Sequence, residues 1–267
     1  MPQVIITAAS GITSFARPAD WNPKNNTIEC VGRGGNGGGG SVGAGSGGPG
    51  GGGGAYAIAR NVDPTFPVVI AFGSPANWSD TDWGTEFGGD GSGNTARFPY
   101  TGPIPYCRAN NGVGGNPTMG GSGGLGGQIH RNIPSGATGG FSGGAGGVPD
   151  YPAGGGGGGA AGPNGNGGGG GSFGSGNGGA GNGGITPAQP TLGVAGNSVA
   201  VWDTYGVGGG GGAGTGNAVP AGAGGSYGGG GGGGGYISAG GAGQPGLIII
   251  TWEPPAAAPR QHAIIIA

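Results

Sequence analysis

Charge is what this chain has least of: eight Lys plus Arg and ten Asp plus Glu are spread over 267 residues. That is 7% charged, where an ordinary soluble domain carries roughly 25%. Lys24 is the one lysine and no basic run exists, so the electrostatic footprint of nucleic-acid binding is missing. Nowhere do about 18 apolar residues follow one another, which argues against a membrane-inserted helix. The opening MPQVIITAAS has no charged n-region and no long apolar stretch, so it reads as a first β-strand and not as a secretory signal. Such a chain, looking built for an extracellular task, fits release by lysis, as for a virion part.

Catalytic constellations are equally thin. His130 and His262 stand in unrelated contexts, and no Ser/His/Asp or Cys/His arrangement has supporting local sequence. Lys24 follows Pro23 and no glycine run, so a phosphate-binding loop is absent. Matches to G-x-G-x-x-G abound, but none lies between a strand and a helix. Asp80 and Asp82 with Glu86 and Asp90 form the one acidic cluster. A calcium loop would need Asp or Asn at Gly84, Gly at Thr85 and Glu at Gly91, so the cluster reads as a solvated loop. The expectation is a protein that is not an enzyme and takes no metal and no cofactor.

What the chain has in excess is glycine, 85 residues, with 22 proline. A third of its positions have no side chain to bury, so one large side-chain core is excluded. Helix is nearly excluded too, since each interior Gly costs about 1 kcal/mol relative to Ala. Uninterrupted glycine occupies 37–40, 50–54, 154–159, 167–171, 208–212 and 228–235. Collagen confines Gly to every third position, whereas these runs place it in all three phases. With no side chain on any face of a three-residue-per-turn helix, like segments can approach from every side as polyglycine II. The competing reading is a flexible linker. Order is favoured because Asn, Ala and isolated hydrophobes interrupt the runs, and Glu and Lys do not. Strands bracket the glycine region as well.

Those strands are Val4–Thr7, Thr27–Val31, Ala55–Ala59, Val68–Phe72 and Leu247–Trp252, short runs between Pro and Gly punctuation. The expected fold is all-β and irregular, with almost no α-helix. A small antiparallel sheet or sandwich from the N- and C-terminal strands joins a packed bundle of polyglycine II helices. One domain is expected over 1–253, with a β-rich base from 1–72 and 246–253 and glycine-rich bundle and loops over 73–245. Residues 254–267 form a Pro/Ala spacer and a short apolar tail. Ile264, Ile265 and Ile266 in that tail suit strand addition to a neighbouring chain, or else a frayed terminus.

The segments between glycine runs concentrate aromatic and charged side chains: Trp78, Asp80, Asp82, Trp83, Arg97, Tyr100, Tyr106, Arg108, Tyr151, Trp202, Asp203 and Tyr205. Rings beside carboxylates and guanidinium groups suit sugars or exposed protein loops. The bland alternative makes Trp83, Trp202 and Phe87 plugs over the ends of a glycine layer. Cys30 and Cys107 both precede glycine, so they read either as two free buried thiols or as one disulfide.

Several stretches in order resemble the glycine-rich domain proteins of bacteriophage tails and prophages. They are Ser14-Phe15, the Pro-Ala-Asp-Trp turn at 18–21, Asn26-Thr27-Ile28-Glu29-Cys30-Val31 leading into glycine, and Gly-Gly-Ala-Tyr-Ala at 53–57. Val201-Trp202-Asp203 and the ending GGAGQPGLIIITW at 240–252 complete the set. A looser similarity is to the polyglycine II tip adhesins of T-even-like phages, whose variable loops contact the host. Those adhesins carry a separate N-terminal attachment domain, whereas this chain begins directly with strands. The resemblance implies a virion location and an adhesin or receptor-binding role on a tail or fibre. The implied partners are other virion proteins (tail, fibre or baseplate), copies of the chain itself, and a bacterial surface glycan or outer-membrane protein. Neither nucleic acid nor membrane insertion is implied. The alternatives are a passive structural or decoration protein of tail or capsid, and a secreted glycine-rich matrix or ice-binding protein.

Overall fold

A computed structural model describes residues 1–40, 47–73, 84–88, 106–116, 137–149, 153–171 and 220–256. Nine strands occur among them: β1 (Gln3–Thr7), β2 (Ser14–Phe15), β3 (Asn26–Val31), β4 (Tyr56–Arg60), β5 (Val68–Phe72), β6 (Gly84–Phe87), β7 (Cys107–Asn110), β8 (Ala137–Phe141) and β9 (Leu247–Trp252). Helix among the described residues is one 3₁₀ turn, Ala8–Ser10, ended by Gly11 at φ 66°. No helix there is long and apolar enough to cross a membrane.

The strands form two antiparallel sheets, one in the order β1-β9-β3-β4-β8 and the other β2-β5-β6-β7. Alternation decides the faces, because successive side chains in a strand point oppositely. Ile28 and Cys30, Ala57 and Ala59, and Ile248, Ile250 and Trp252 therefore leave the larger sheet on one side. There they pack with Val68, Ile70, Phe87, Cys107 and Ala109 of the smaller sheet. Each fully buried Ile or Phe in this layer contributes about 1.5–3 kcal/mol. The Pro-Ala-Asp-Trp turn closes one end. Trp21 stacks edge-on against Phe66 at 5.4 Å and lies 5.9 Å from Trp252, whose indole N–H donates to Asp20 Oδ1 at 3.1 Å.

The base is larger than the 1–72 and 246–253 expected from sequence. β6, β7 and β8 belong to it as well, although all three fall inside 73–245, expected to be glycine-rich bundle and loops. GTEF, CRAN and ATGGF have too few β-branched residues to announce strands, and sheet pairing overrides that weak propensity.

Beyond the sandwich the glycine segments pack on one another through their backbones. Gly50 N–H donates to Gly147 O (3.0 Å), Gly51 to Gly231 (2.9 Å) and Gly52 to Val113 (2.9 Å). Gly53 then returns to the first neighbour at Gly144 (2.8 Å), Gly54 to the second at Gly228 (2.8 Å) and Ala55 to the third at Asn110 (3.0 Å). A β-ladder pairs on two sides with period two; here the donors turn through three directions with period three. Residues 230–234 repeat the pattern, donating to Gly158, Gly35, Gly222, Gly155 and Gly38 in turn. Neighbours run both ways. Gly155 and Gly158 meet Gly48 and Gly51 in parallel, while Gly35 and Gly38 meet Gly52 and Pro49 antiparallel.

Close approach is why these positions are glycine. A Cβ on Gly51 would overlap the carbonyl oxygen of Gly35, and one on Gly231 that of Gly241. The interrupting asparagines also have a purpose. Asn36, Asn111 and Asn166 use their side-chain oxygens to accept from Gly243, Arg33 and Ser142 N–H at 3.0, 2.8 and 2.9 Å, standing in for a backbone carbonyl.

Candidate functional site

Most of the side chains singled out for recognition lie outside the described residues: Trp78, Asp80, Asp82, Trp83, Arg97, Tyr100, Tyr151, Trp202, Asp203 and Tyr205, and the tail residues Ile264, Ile265 and Ile266. Tyr106 is described. It is half-buried against the sandwich core, and its hydroxyl accepts from Thr65 N–H at 3.3 Å.

Arg108 corrects the expectation. It is fully buried and cannot touch a receptor. The β6–β7 register sets it opposite Glu86, and the two side chains pair at 3.1 Å with no exposure on either. Arg108 Nε also donates to Asn110 Oδ1 at 3.3 Å. Glu86 is thereby removed from the solvated acidic loop in which it was read. Two charges can be withdrawn from water together only because each neutralises the other.

Cys30 and Cys107 do meet, but between the two sheets and not at the junction with glycine. Both are buried, free thiols. Cys30 Sγ donates to Cys107 O at 3.6 Å, and Cys107 Sγ to the carbonyls of Ile28 and Ala57 at 3.5 Å each. Burial first, and then the hydrogen bond and charge of Cys107, push the Cys30 thiol well above its ordinary value. It stays protonated and unreactive.

One concave site among the described residues was not singled out in the sequence. It lies on the face of the larger sheet turned away from the smaller one. Register aligns Gln3, Thr251, Thr27 and Arg60 in one row across β1, β9, β3 and β4. Above that row come Glu29 and Ile58, then Tyr56 and Phe141. Met1, Gly140 and Pro163 complete an open cavity of about 740 Å³.

Its polar groups are tied together. Tyr56 hydroxyl donates to Glu29 Oε2 at 2.6 Å, and Gln3 Nε2 to Thr251 Oγ1 at 3.4 Å. Tyr56 and Phe141 stack with centroids 6.4 Å apart and planes at 22°. Burial, followed by the charge and hydrogen bond of Glu29, pushes the Tyr56 phenol far above its usual value, so it remains a donor at any physiological pH. The side chain is packed on the same sheet face with Val31, Leu247, Ile249, Ala160 and Ala161, a second apolar cluster.

Chemically the groove offers donors, acceptors and an apolar wall, an equipment for binding. Among the described residues no group of three or more His, Cys, Asp or Glu side chains could hold a metal ion. The missed signal was in β3 and β4: Thr27 and Glu29 alternate with buried Ile28 and Cys30, and Arg60 ends the neighbouring strand. No protein-family model and no curated protein sequence matches this chain.

Proposed function

We propose that this chain is a bacteriophage virion protein, associated with the tail or a fibre, that presents recognition loops on a polyglycine II scaffold and serves as an adhesin, not an enzyme. The observation that carries the reading is the threefold rotation of backbone hydrogen bonds from Gly50 to Ala55 and again over 230–234. Three residues per turn with N–H groups pointing outward is the polyglycine II geometry. Segments bonded on several sides make a stiff platform, and connecting segments on a stiff platform are where binding residues collect. The connecting segments 74–83, 89–105, 150–152 and 172–219 carry Trp78, Asp80, Asp82, Trp83, Arg97, Tyr100, Tyr151, Trp202, Asp203 and Tyr205. The partners on this reading are other virion proteins, further copies of the chain and a bacterial surface glycan or outer-membrane protein. The protein is carried outside the cell on the particle.

The test is adsorption. The purified chain, labelled, is incubated with a panel of bacterial strains and the cell-bound fraction is measured. Selective binding to some strains is expected, lost when 185–206 is replaced by a Gly/Ser linker of equal length. A chain that labels virions yet binds no strain is a passive structural component, and the adhesin reading falls.

A further inference from the structure

We infer that the groove over Thr27, Glu29 and Arg60 is a binding site for a neutral saccharide. The inference rests on the adhesin reading for its biological setting, while its chemistry stands on the groove alone.

Size comes first. The cavity of about 740 Å³ falls within the roughly 300–1,000 Å³ typical of small-molecule sites. Its polar row sits on four adjacent strands, three of them paired on both sides within the sheet. The backbone that carries these groups is therefore fixed before a ligand arrives, which limits the ordering entropy that binding must spend.

The chemistry narrows the ligand. Among the lining side chains only Glu29 and Arg60 are charged, with opposite signs, so these side chains offer no net attraction to an anion or a cation. Thr27, Thr251 and Gln3 add two hydroxyls and an amide, each able to donate and to accept. A neutral polyhydroxylated ring uses both capacities at many points. Ile58, Pro163 and Phe141 supply an apolar wall for the C–H face of such a ring. A flat aromatic ligand has poorer prospects, because Tyr56 is already stacked on Phe141. An extended peptide would seek unpaired strand edges, and the backbone beneath the groove's centre, in β9, β3 and β4, is already paired on both sides.

The experiment uses the full chain in saturation-transfer NMR with glucose, galactose, mannose, N-acetylglucosamine, lactose and chitobiose, with glucuronate as the charged control. At least one neutral sugar is expected to bind at millimolar concentration and glucuronate more weakly. Glu29→Gln and Arg60→Met should each weaken that binding about tenfold, as loss of one charge-assisted hydrogen bond does. Glu29→Gln keeps an acceptor for Tyr56, and thermal unfolding verifies that both variants fold. If no neutral sugar binds, or both folded variants bind within about twofold of the parent chain, the proposal is overturned. Adsorption to cells is measured on the same variants. Sugar binding by a chain that adsorbs to no strain supports the groove and removes the adhesin reading; adsorption without sugar binding does the reverse.

Discussion

The sandwich and the glycine array are both made of extended, hydrogen-bonded chain, yet they are held together by opposite means. In the sandwich, side chains alternate with period two, and Ile28, Ile248, Ile250 and Phe87 fill the space between sheets. In the array the period is three and the side chains are gone, so backbone meets backbone. Each array hydrogen bond contributes a net of about 0.5–1.5 kcal/mol, while ordering each residue costs about 1–2 kcal/mol. Hydrogen bonds alone fall short of that cost. Dispersion and Cα–H···O contacts from close approach must supply the remainder. The array also needs its ends held, which the sandwich does directly: Gly32 and Gly54 continue β3 and precede β4, and Gly246 precedes β9. A side-chain core thus acts as the clamp for a core without side chains.

Two substitutions would break the comparison hardest, one in each region. Gly231→Val puts a branched side chain where even a Cβ overlaps the carbonyl of Gly241. Both backbones are fixed by neighbours, so the loss should reach about 3 kcal/mol or more and prevent the array from closing. Thermal unfolding checks it, and an unchanged midpoint means the segments are not in contact. In the sandwich, Arg108→Met leaves Glu86 charged and buried, at about 3–5 kcal/mol. The double variant Arg108→Met, Glu86→Leu should recover much of that loss in urea titration; failure to recover shows that packing, not charge, made the site.

Tyr56→Phe sharpens the contrast, because it affects one region at one end of the pH scale. The unfolded phenol loses its proton near pH 10, whereas the folded one keeps it. Stability from this group is complete below that pH and falls by about 1.4 kcal/mol per unit above it. Tyr56→Phe should flatten this alkaline decline, read from urea midpoints at pH 8 and pH 11. An equally steep decline would assign it to other groups, Cys30 first among them. The smallest effect belongs to Gly169→Ala, whose Cβ finds only Ala145 O at 3.7 Å. This should leave the melting temperature within about a degree of the parent chain, or raise it slightly through the unfolded state. A large loss there would mean that 165–171 has a neighbour on its open side.

The sequence was informative where a residue's chemistry and its surroundings agree. LIIITW and VVIAF are apolar, β-branched and flanked by Gly or Pro, and the strands fall where that pattern put them. Glycine in every phase likewise announced packing without side chains. The same reasoning failed where partners distant in sequence decide. Nothing local in GTEF or CRAN says that Glu86 and Arg108 will face one another and be buried. A lone charge between glycines looks solvated until its counter-ion is known. The groove was hidden for a related reason. Gln3, Thr27, Arg60 and Thr251 become one row only after β9 has been placed between β1 and β3.

That placement also governs when the molecule can come into being. Gln3 and Thr251 are register partners 248 positions apart, so the first strand of the sheet waits for the last. At about 5–20 residues per second, synthesis leaves the N-terminal strands without their central partner for tens of seconds. Loop closure must precede any reward from that pairing, which makes such a topology slow to fold. The nascent chain meanwhile has β5, β6 and β7 to cover the face of Ile28 and Cys30, but β1 lacks its partner and β3 keeps an open edge. The larger sheet is therefore completed late, once Trp252 has left the ribosome, and a chain stopped before Leu247 leaves β1 unpaired and β3 with an open edge.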